Sequence, residues 1–193
     1  MLKVTLLGTG TSAGVPTLGC HCEVCCSSNP KDNRLRSAAM IETATTRILI
    51  DAGPDIRQQL LRVPFRKIDG VLITHKHYDH VGGIDDLRGF CVYGDIEVYG
   101  DADVTSSLPV TMPYCFPSSS ESLYPGAPKL QLHTIRPHLI YKIGDIEWMP
   151  IRVMHDKMPI LGYRFGKFAY ITDMKTIADE ELPYLQGVEI LVV

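Results

Sequence analysis

No apolar run in this sequence approaches the ~20 residues that a membrane-spanning helix requires. The opening Met1-Leu2-Lys3-Val4-Thr5 also lacks the basic segment and long apolar core of a secretory signal. The expected location is therefore cytoplasmic, with no membrane partner. Basic excess is missing too: 19 Lys and Arg stand against 22 Asp and Glu, a net charge of -3. That balance gives no electrostatic footprint for nucleic acid and argues against it as a partner. It leaves room for a small phosphate ester held by local cations and metals, and it is compatible with a homo-oligomer. No internal repeat is visible. What is present is ordinary globular composition, 45% apolar and 21% charged, over 193 residues. Such a length suits one domain with a full hydrophobic core.

The most informative stretch is Thr74-His75-Lys76-His77-Tyr78-Asp79-His80, which holds three of the seven histidines. It follows the apolar run Val71-Leu72-Ile73, which reads as a short buried strand. His75 and His77 are two apart, so in extended backbone they point the same way. Asp79 and His80 follow at once and can turn toward a second ion. A mixed imidazole and carboxylate set suits Zn, Mn or Fe better than Ca or Mg, and the pattern suggests two ions of the kind used in hydrolysis.

Two ions need further ligands. His155 closes an apolar strand (151–154) as His75 closes its own, which makes it the best remaining histidine. His133 reads as a mid-strand structural residue, and His138, after Pro137, as an exposed turn residue. Asp51 and Asp173 both end apolar strands. Spacing does not choose between them as the carboxylate that touches both ions; the other would accept a hydrogen bond from a ligand imidazole. Four of the six cysteines, Cys20, Cys22, Cys25 and Cys26, crowd into seven residues, which in a reducing compartment favours metal thiolates over disulfides.

Alternation and turn residues predict a strand over 2–8, a loop over 8–14, and a hairpin of 37–42 with 46–51. They predict a helix over 54–62, a strand over 70–74, a short helix over 84–90 and a strand over 96–99. The stretch 101–128 gives no firm signal beyond a polar loop from Ser118 to Ser122. Strands follow at 130–135, 139–143, 146–153, 161–165 and 168–172. Residues 177–185 read as helical up to Pro183, and 190–193 as a fully apolar, buried strand. Two groups of strands, each with helical segments, predict an α/β (α+β) fold with two mixed sheets packed face to face and helices outside.

The motif at 74–80 resembles the H-x-H-x-D-H signature of the metallo-β-lactamase superfamily. Leu6-Leu7-Gly8-Thr9-Gly10-Thr11-Ser12-Ala13-Gly14-Val15-Pro16 resembles the start of one branch. So do Gly19-Cys20-His21-Cys22-Glu23-Val24-Cys25 and Asn33-Arg34-Leu35-Arg36-Ser37. That branch contains the phosphoribosyl cyclic phosphodiesterases. The resemblance implies an αββα sandwich with the active site along one edge. It implies His75, His77 and His155 on one ion, Asp79 and His80 on the second, Asp173 bridging, and Asp51 behind a ligand imidazole. It further implies a structural zinc on Cys20, Cys22 and Cys25. The family places two more histidines after its last strand, one for the second ion and one for that zinc. Neither position exists before Val193, so the chain is expected to be a single domain (1–193) ending early, with an under-coordinated second ion.

The expected activity is hydrolysis of small cyclic or nucleotide phosphodiesters by a metal-bridging hydroxide, with Asp79 and Asp173 at the centre and Arg34 and Arg36 as candidate phosphate contacts. Alternatives are a nuclease of the tRNA 3′-processing type, a lactone or thioester hydrolase, and a metal-binding chain without turnover.

Overall fold

A computed structural model describes residues 1–116 and 126–193. The Ser118 to Ser122 stretch lies outside the described residues. Six strands form the first sheet: β1 (Lys3–Gly8), β2 (Ala38–Glu42), β3 (Arg47–Ile50), β4 (Gly70–Leu72), β5 (Ile96–Gly100) and β6 (Leu130–Thr134), in that order across it. The first three pair antiparallel, and β3 through β6 pair parallel. The second sheet runs β11 (Ile190–Val192), β10 (Phe168–Tyr170), β9 (Met158–Phe165), β8 (Ile146–His155), β7 (Tyr141–Ile143). Its pairs are antiparallel except β10 with β11.

The period of two along each strand explains the layering. In β2 and β3, Ala39, Ile41, Ile48 and Ile50 face the second sheet, where they meet Trp148, Leu161, Tyr163 and Tyr170. Their neighbours Ala38, Met40 and Leu49 point the other way, onto Ile56, Ile84, Leu87, Val104 and Leu108 beneath the helices. A strand covered on both faces needs apolar residues at every position, and β3 supplies them from Ile48 to Ile50. On the far side of the second sheet, Ile151, Val153, Ile160 and Ile171 pack with Ile177, Tyr184 and Leu185. The layers are therefore helix, sheet, sheet, helix, as the strand grouping predicts.

Several elements differ from the sequence reading. Helix α1 (Ile56–Leu60) is shorter than 54–62. The segments Ile84–Tyr93 and Asp179–Leu185 are 3₁₀ helices, the latter accommodating Pro183. Helix α3 (Ala102–Thr111) lies where no helix is predicted; the Asp101 carboxylate caps it by accepting from the Val104 N–H at 2.9 Å. Strand β11 is not buried: Ile190 is 62% and Leu191 48% exposed, because among the described residues β11 is the edge of its sheet. No helix among the described residues is long and apolar enough to cross a membrane.

Candidate metal centre

Parallel pairing brings the C-terminal ends of β3 and β4 to the same edge, and both run directly into site residues. After β3 comes Asp51, fully buried and in the left-handed region at φ 62°. After β4 come Thr74 and His75. Asp173 follows β10 and is also left-handed, at φ 56°. Aspartate is among the few residues with a side chain that adopt this backbone without large penalty. His77 precedes helix α2 (Tyr78–Val81), whose single turn carries Asp79 and His80. His155 closes β8.

Two hydrogen bonds fasten the sheets at this edge. The Tyr163 hydroxyl donates to the Ile73 carbonyl at 2.6 Å, and the Leu161 N–H donates to the Thr74 carbonyl at 3.0 Å. Two glycines fasten the loops. A side chain on Gly53 would place its Cβ 1.9 Å from the Asp79 carbonyl oxygen, and one on Gly83 would stand 2.1 Å from the Gly53 oxygen. Between them the Ala52 N–H donates to the His80 carbonyl and the Gly83 N–H to the Ala52 carbonyl, each at 2.8 Å. Only residues without a Cβ allow this approach.

The donors then converge. His75 Nε2 lies 3.1 Å from His77 Nδ1. Ring nitrogens of His75, His77 and His155 form one mutually close group, and His75, His80 and Asp173 a second. Within the second group, Asp173 Oδ2 stands 3.1 Å from His80 Nε2 and 3.6 Å from His75 Nε2, the residue that the two groups share. Asp79 Oδ2 reaches His80 Nε2 at 3.3 Å.

Hydrogen bonds behind the cluster determine which nitrogen faces inward. Asp51 Oδ2 lies 2.7 Å from His80 Nδ1. A carboxylate only accepts, so Nδ1 carries the proton and Nε2 faces Asp173 and Asp79. Asp51 also accepts from the Thr74 N–H at 2.8 Å and from the Thr74 hydroxyl at 2.9 Å. That hydroxyl has spent its proton, so it accepts from His75 Nδ1 at 3.0 Å and turns His75 Nε2 inward.

Charge follows the same arrangement. Burial drives the His75 pKa down to about 4, and the positive charge of His80 adds to the effect. Burial opposes charge on His80 as well, but the carboxylates of Asp51, Asp173 and Asp79 outweigh it and raise its pKa to about 12. The hydrogen bond from His80 holds Asp173 well below the usual carboxylate range and lowers Asp79 also. With no other cation, three carboxylates therefore trap a proton on His80. Inward-facing nitrogens and carboxylates packed this closely fit divalent cations of the Zn, Mn or Fe type.

A cleft of about 390 Å³ opens onto this cluster, lined by Thr11, Ser12, His155, Asp173, Met174 and Lys175. Neither arginine considered as a phosphate contact lines it. The Arg36 guanidinium is committed to Asp55 Oδ1 at 2.8 Å and to the Ser12 carbonyl at 2.8 Å, so it clamps the loop at Ser12. Arg34 lines a separate groove with Lys31 and Arg62. Gly53 and Gly83 have no signal in the spacing of the motif, because their roles depend on contacts between loops; Thr74 stands directly before the first histidine of the motif.

The remaining histidines lie elsewhere. His133 is exposed on edge strand β6 beside Glu97, and His138, half-buried, meets Glu181 at 2.7 Å. His133 thus stands within a strand, stacked on Tyr99, as the sequence reading has it, whereas the half-buried His138 corrects the reading of an exposed residue. Away from this centre, the sulfurs of Cys20, Cys22 and Cys25 form a third mutually close group. Backbone N–H groups already point at two of them: Thr17 at Cys25 (3.4 Å) and Cys25 at Cys22 (3.5 Å). The Cys25 N–H lowers the Cys22 pKa, whereas at Cys25 the Thr17 N–H is outweighed by hydrogen bonding with Cys20 and by burial, so that thiol is raised.

Residues 46–193 match the beta-lactamase superfamily domain. An octanoyltransferase of Porphyromonas gingivalis is 44% identical over 191 residues, covering 98% of this chain and 38% of that protein. A ribonuclease Z of Thermosynechococcus vestitus is 29% identical over 177 residues, covering 84% of this chain and 36% of that protein. The chain thus spans less than two-fifths of the length of these curated relatives. A crystal structure of a diphosphatase from the PhnP family superposes with a TM-score of 0.87 at 36% identity, covering 99% of this chain and 73% of that one. With the superfamily profile matched over most of its length and a PhnP-family structure followed throughout, the chain belongs to the metallo-β-lactamase superfamily, in the PhnP branch.

Proposed function

We propose that this chain is a metal-dependent hydrolase of small phosphodiesters. The observation that carries the reading is the convergence of His75, His77, His155, His80, Asp79 and Asp173 at the mouth of an open cleft. His75, His77 and His155 would hold one divalent ion, His80 and Asp79 would hold a second, and Asp173 would contribute to both. Cations so held supply Lewis acidity and bring the pKa of water close to neutral. The protein's own part is orientation. Asp51 and Thr74 fix the tautomers of His80 and His75, and the glycine contact between 53 and 83 holds the turn that carries Asp79. Ser12, clamped through Arg36, forms part of the cleft wall. Cys20, Cys22 and Cys25 would hold a structural zinc apart from the chemistry.

The names diphosphatase and ribonuclease Z both describe cleavage at phosphorus, which supports phosphorus over carbon as the target. The net charge of -3 favours a small substrate over RNA. The octanoyltransferase name belongs to a protein of which this chain matches 38%, and the cleft has no cysteine among its lining residues to accept an acyl group.

The test is a panel of bis-p-nitrophenyl phosphate, a 2′,3′-cyclic nucleotide, RNA and a lactone, run on protein whose metal content is counted by mass spectrometry. His75→Ala and Asp173→Ala are each expected to abolish diester hydrolysis. Wild-type rates in either variant with metals supplied would refute the site, and a preference for RNA or the lactone would refute the substrate class.

A further inference from the structure

The cleft contains one cationic side chain, Lys175, among its lining residues. Its backbone is fixed: the Lys175 N–H donates to the Met154 carbonyl at 2.8 Å, and Thr176 bridges the same residue through N–H and carbonyl. Met154 precedes the candidate ligand His155, and Lys175 lies two residues beyond Asp173. The root of the side chain is thus tied to both strand ends that feed the centre. Its head is not. Among the described residues, the carboxylate paired with it is Asp156, whose Oδ1 stands 3.7 Å away, beyond hydrogen-bond length, and both side chains are mostly exposed. An exposed pair at that separation contributes little to stability. A strongly hydrated ammonium on a flexible stem can leave it for a better anion.

We propose that Lys175 is a substrate-binding cation that selects anionic esters at this centre. The inference rests on the phosphodiesterase reading and deepens it by naming what the cleft recognises. Metal-activated water can attack either carbonyl carbon or phosphorus, so the ions do not by themselves choose between a lactone and a phosphodiester. A phosphodiester carries a negative charge through the reaction; a lactone does not carry one into the cleft. A cation rooted beside His155 and Asp173 meets that charge, while Arg36 is occupied with Asp55 and Arg34 lies in another groove. Lys175 is therefore the group that tells the two substrates apart. It binds a non-reacting phosphoryl oxygen and is not assigned any proton transfer.

The experiment compares wild type, Lys175→Met and Lys175→Arg, each loaded with metal, on bis-p-nitrophenyl phosphate and on a neutral lactone. A charge-assisted hydrogen bond of this kind is worth about 10- to 100-fold. Lys175→Met should lower kcat/KM for the diester by that factor relative to the lactone, mainly through KM, and Lys175→Arg should recover most of the loss. Equal losses on both substrates, or an unchanged ratio, overturn the proposal. Calorimetric titration with inorganic phosphate supplies a second readout that needs no turnover. Weaker phosphate binding in Lys175→Met supports the assignment, and an unchanged Kd overturns it. If wild type binds phosphate but hydrolyses no diester, the phosphodiesterase reading fails, and the titration alone decides the role of Lys175.

Discussion

Replacing Asp51 with Asn removes one charge and changes one acceptor into a donor, with almost no change in shape. Asn is well suited to the φ of 62° at this position, so the backbone has no reason to move. The buried side chain, however, has no orientation that satisfies every partner. If its oxygen stays on the Thr74 N–H, its amide NH₂ faces His80 Nδ1, where 2.7 Å now separates two donors. His80 must then move its proton to Nε2 and loses the lone pair that faces Asp173. If the amide is reversed, its oxygen serves His80 but its NH₂ opposes the Thr74 N–H at 2.8 Å. Leaving that buried group unpaired costs about 1–3 kcal/mol. Either route predicts a loss of about 10- to 100-fold in affinity at the site containing His80, the range usual for partners behind metal-binding histidines. The group of His75, His77 and His155 should change little, because the Thr74 hydroxyl can still donate to the Asn oxygen and accept from His75. Calorimetric titration of metal-free protein with Zn²⁺ or Mn²⁺ measures both classes of site, and a thermal melt checks the fold. Unchanged affinity for both ions would refute the assigned tautomer of His80.

Three further predictions follow from the same geometry. Because His80 keeps its proton up to a pKa of about 12, a metal engaging its Nε2 at neutral pH should release that proton; buffer-dependent binding enthalpies measure it, and zero release would refute the trapped charge. Stability of the metal-free protein should also fall in acid. The unfolded chain protonates His75 near pH 6.5 whereas the folded one resists until about 4, so stability present above 6.5 is lost as pH drops through that window. The depressed pKa of Asp173 acts in the same direction at lower pH, while the raised pKa of His80 contributes stability below about 6.5 that fades only as pH rises toward 12. A series of melting temperatures between pH 7 and 4 tests this. Gly53→Ala should push the Asp79 turn off its seat, since its Cβ would fall 1.9 Å from the Asp79 carbonyl; metal affinity should drop at least tenfold, in keeping with the sensitivity of such sites to misplacement, and a titration matching wild type would refute the close-contact argument.

Much of the architecture is readable because the strands obey a simple period. The hairpin of β2 and β3, the parallel strand before the histidines and the paired strands after residue 130 all follow from alternation and turn residues. The clustered histidines are readable because a strand end and two-residue spacing already aim side chains at one point. Helix α3 was missed because its Thr and Ser residues and Pro109 weaken every helix signal except the cap at Asp101. Strand β11 lies where the apolar run predicts it but is exposed, because such a run does not reveal whether a second strand covers it. The Arg36 clamp was illegible for a different reason: its partner Asp55 lies 19 residues away and is set by tertiary packing alone. The same holds for Gly53, whose need for a bare Cα arises from a carbonyl 26 positions further along.

The centre draws its residues from both layers of the sandwich. The first sheet contributes Asp51, His75, His77, Asp79 and His80; the second contributes His155 and Asp173. His80 and Asp173 stand 93 positions apart and meet only after the sheets have docked. An ion bound between them would act as a rivet through the two layers, tightening a seam already held by Tyr163 and Leu161. Such an ion binds the native state and not the unfolded chain, so metal concentration becomes a determinant of how long the layers stay together. Chelation would then loosen the seam between the sheets as well as remove the hydrolytic centre.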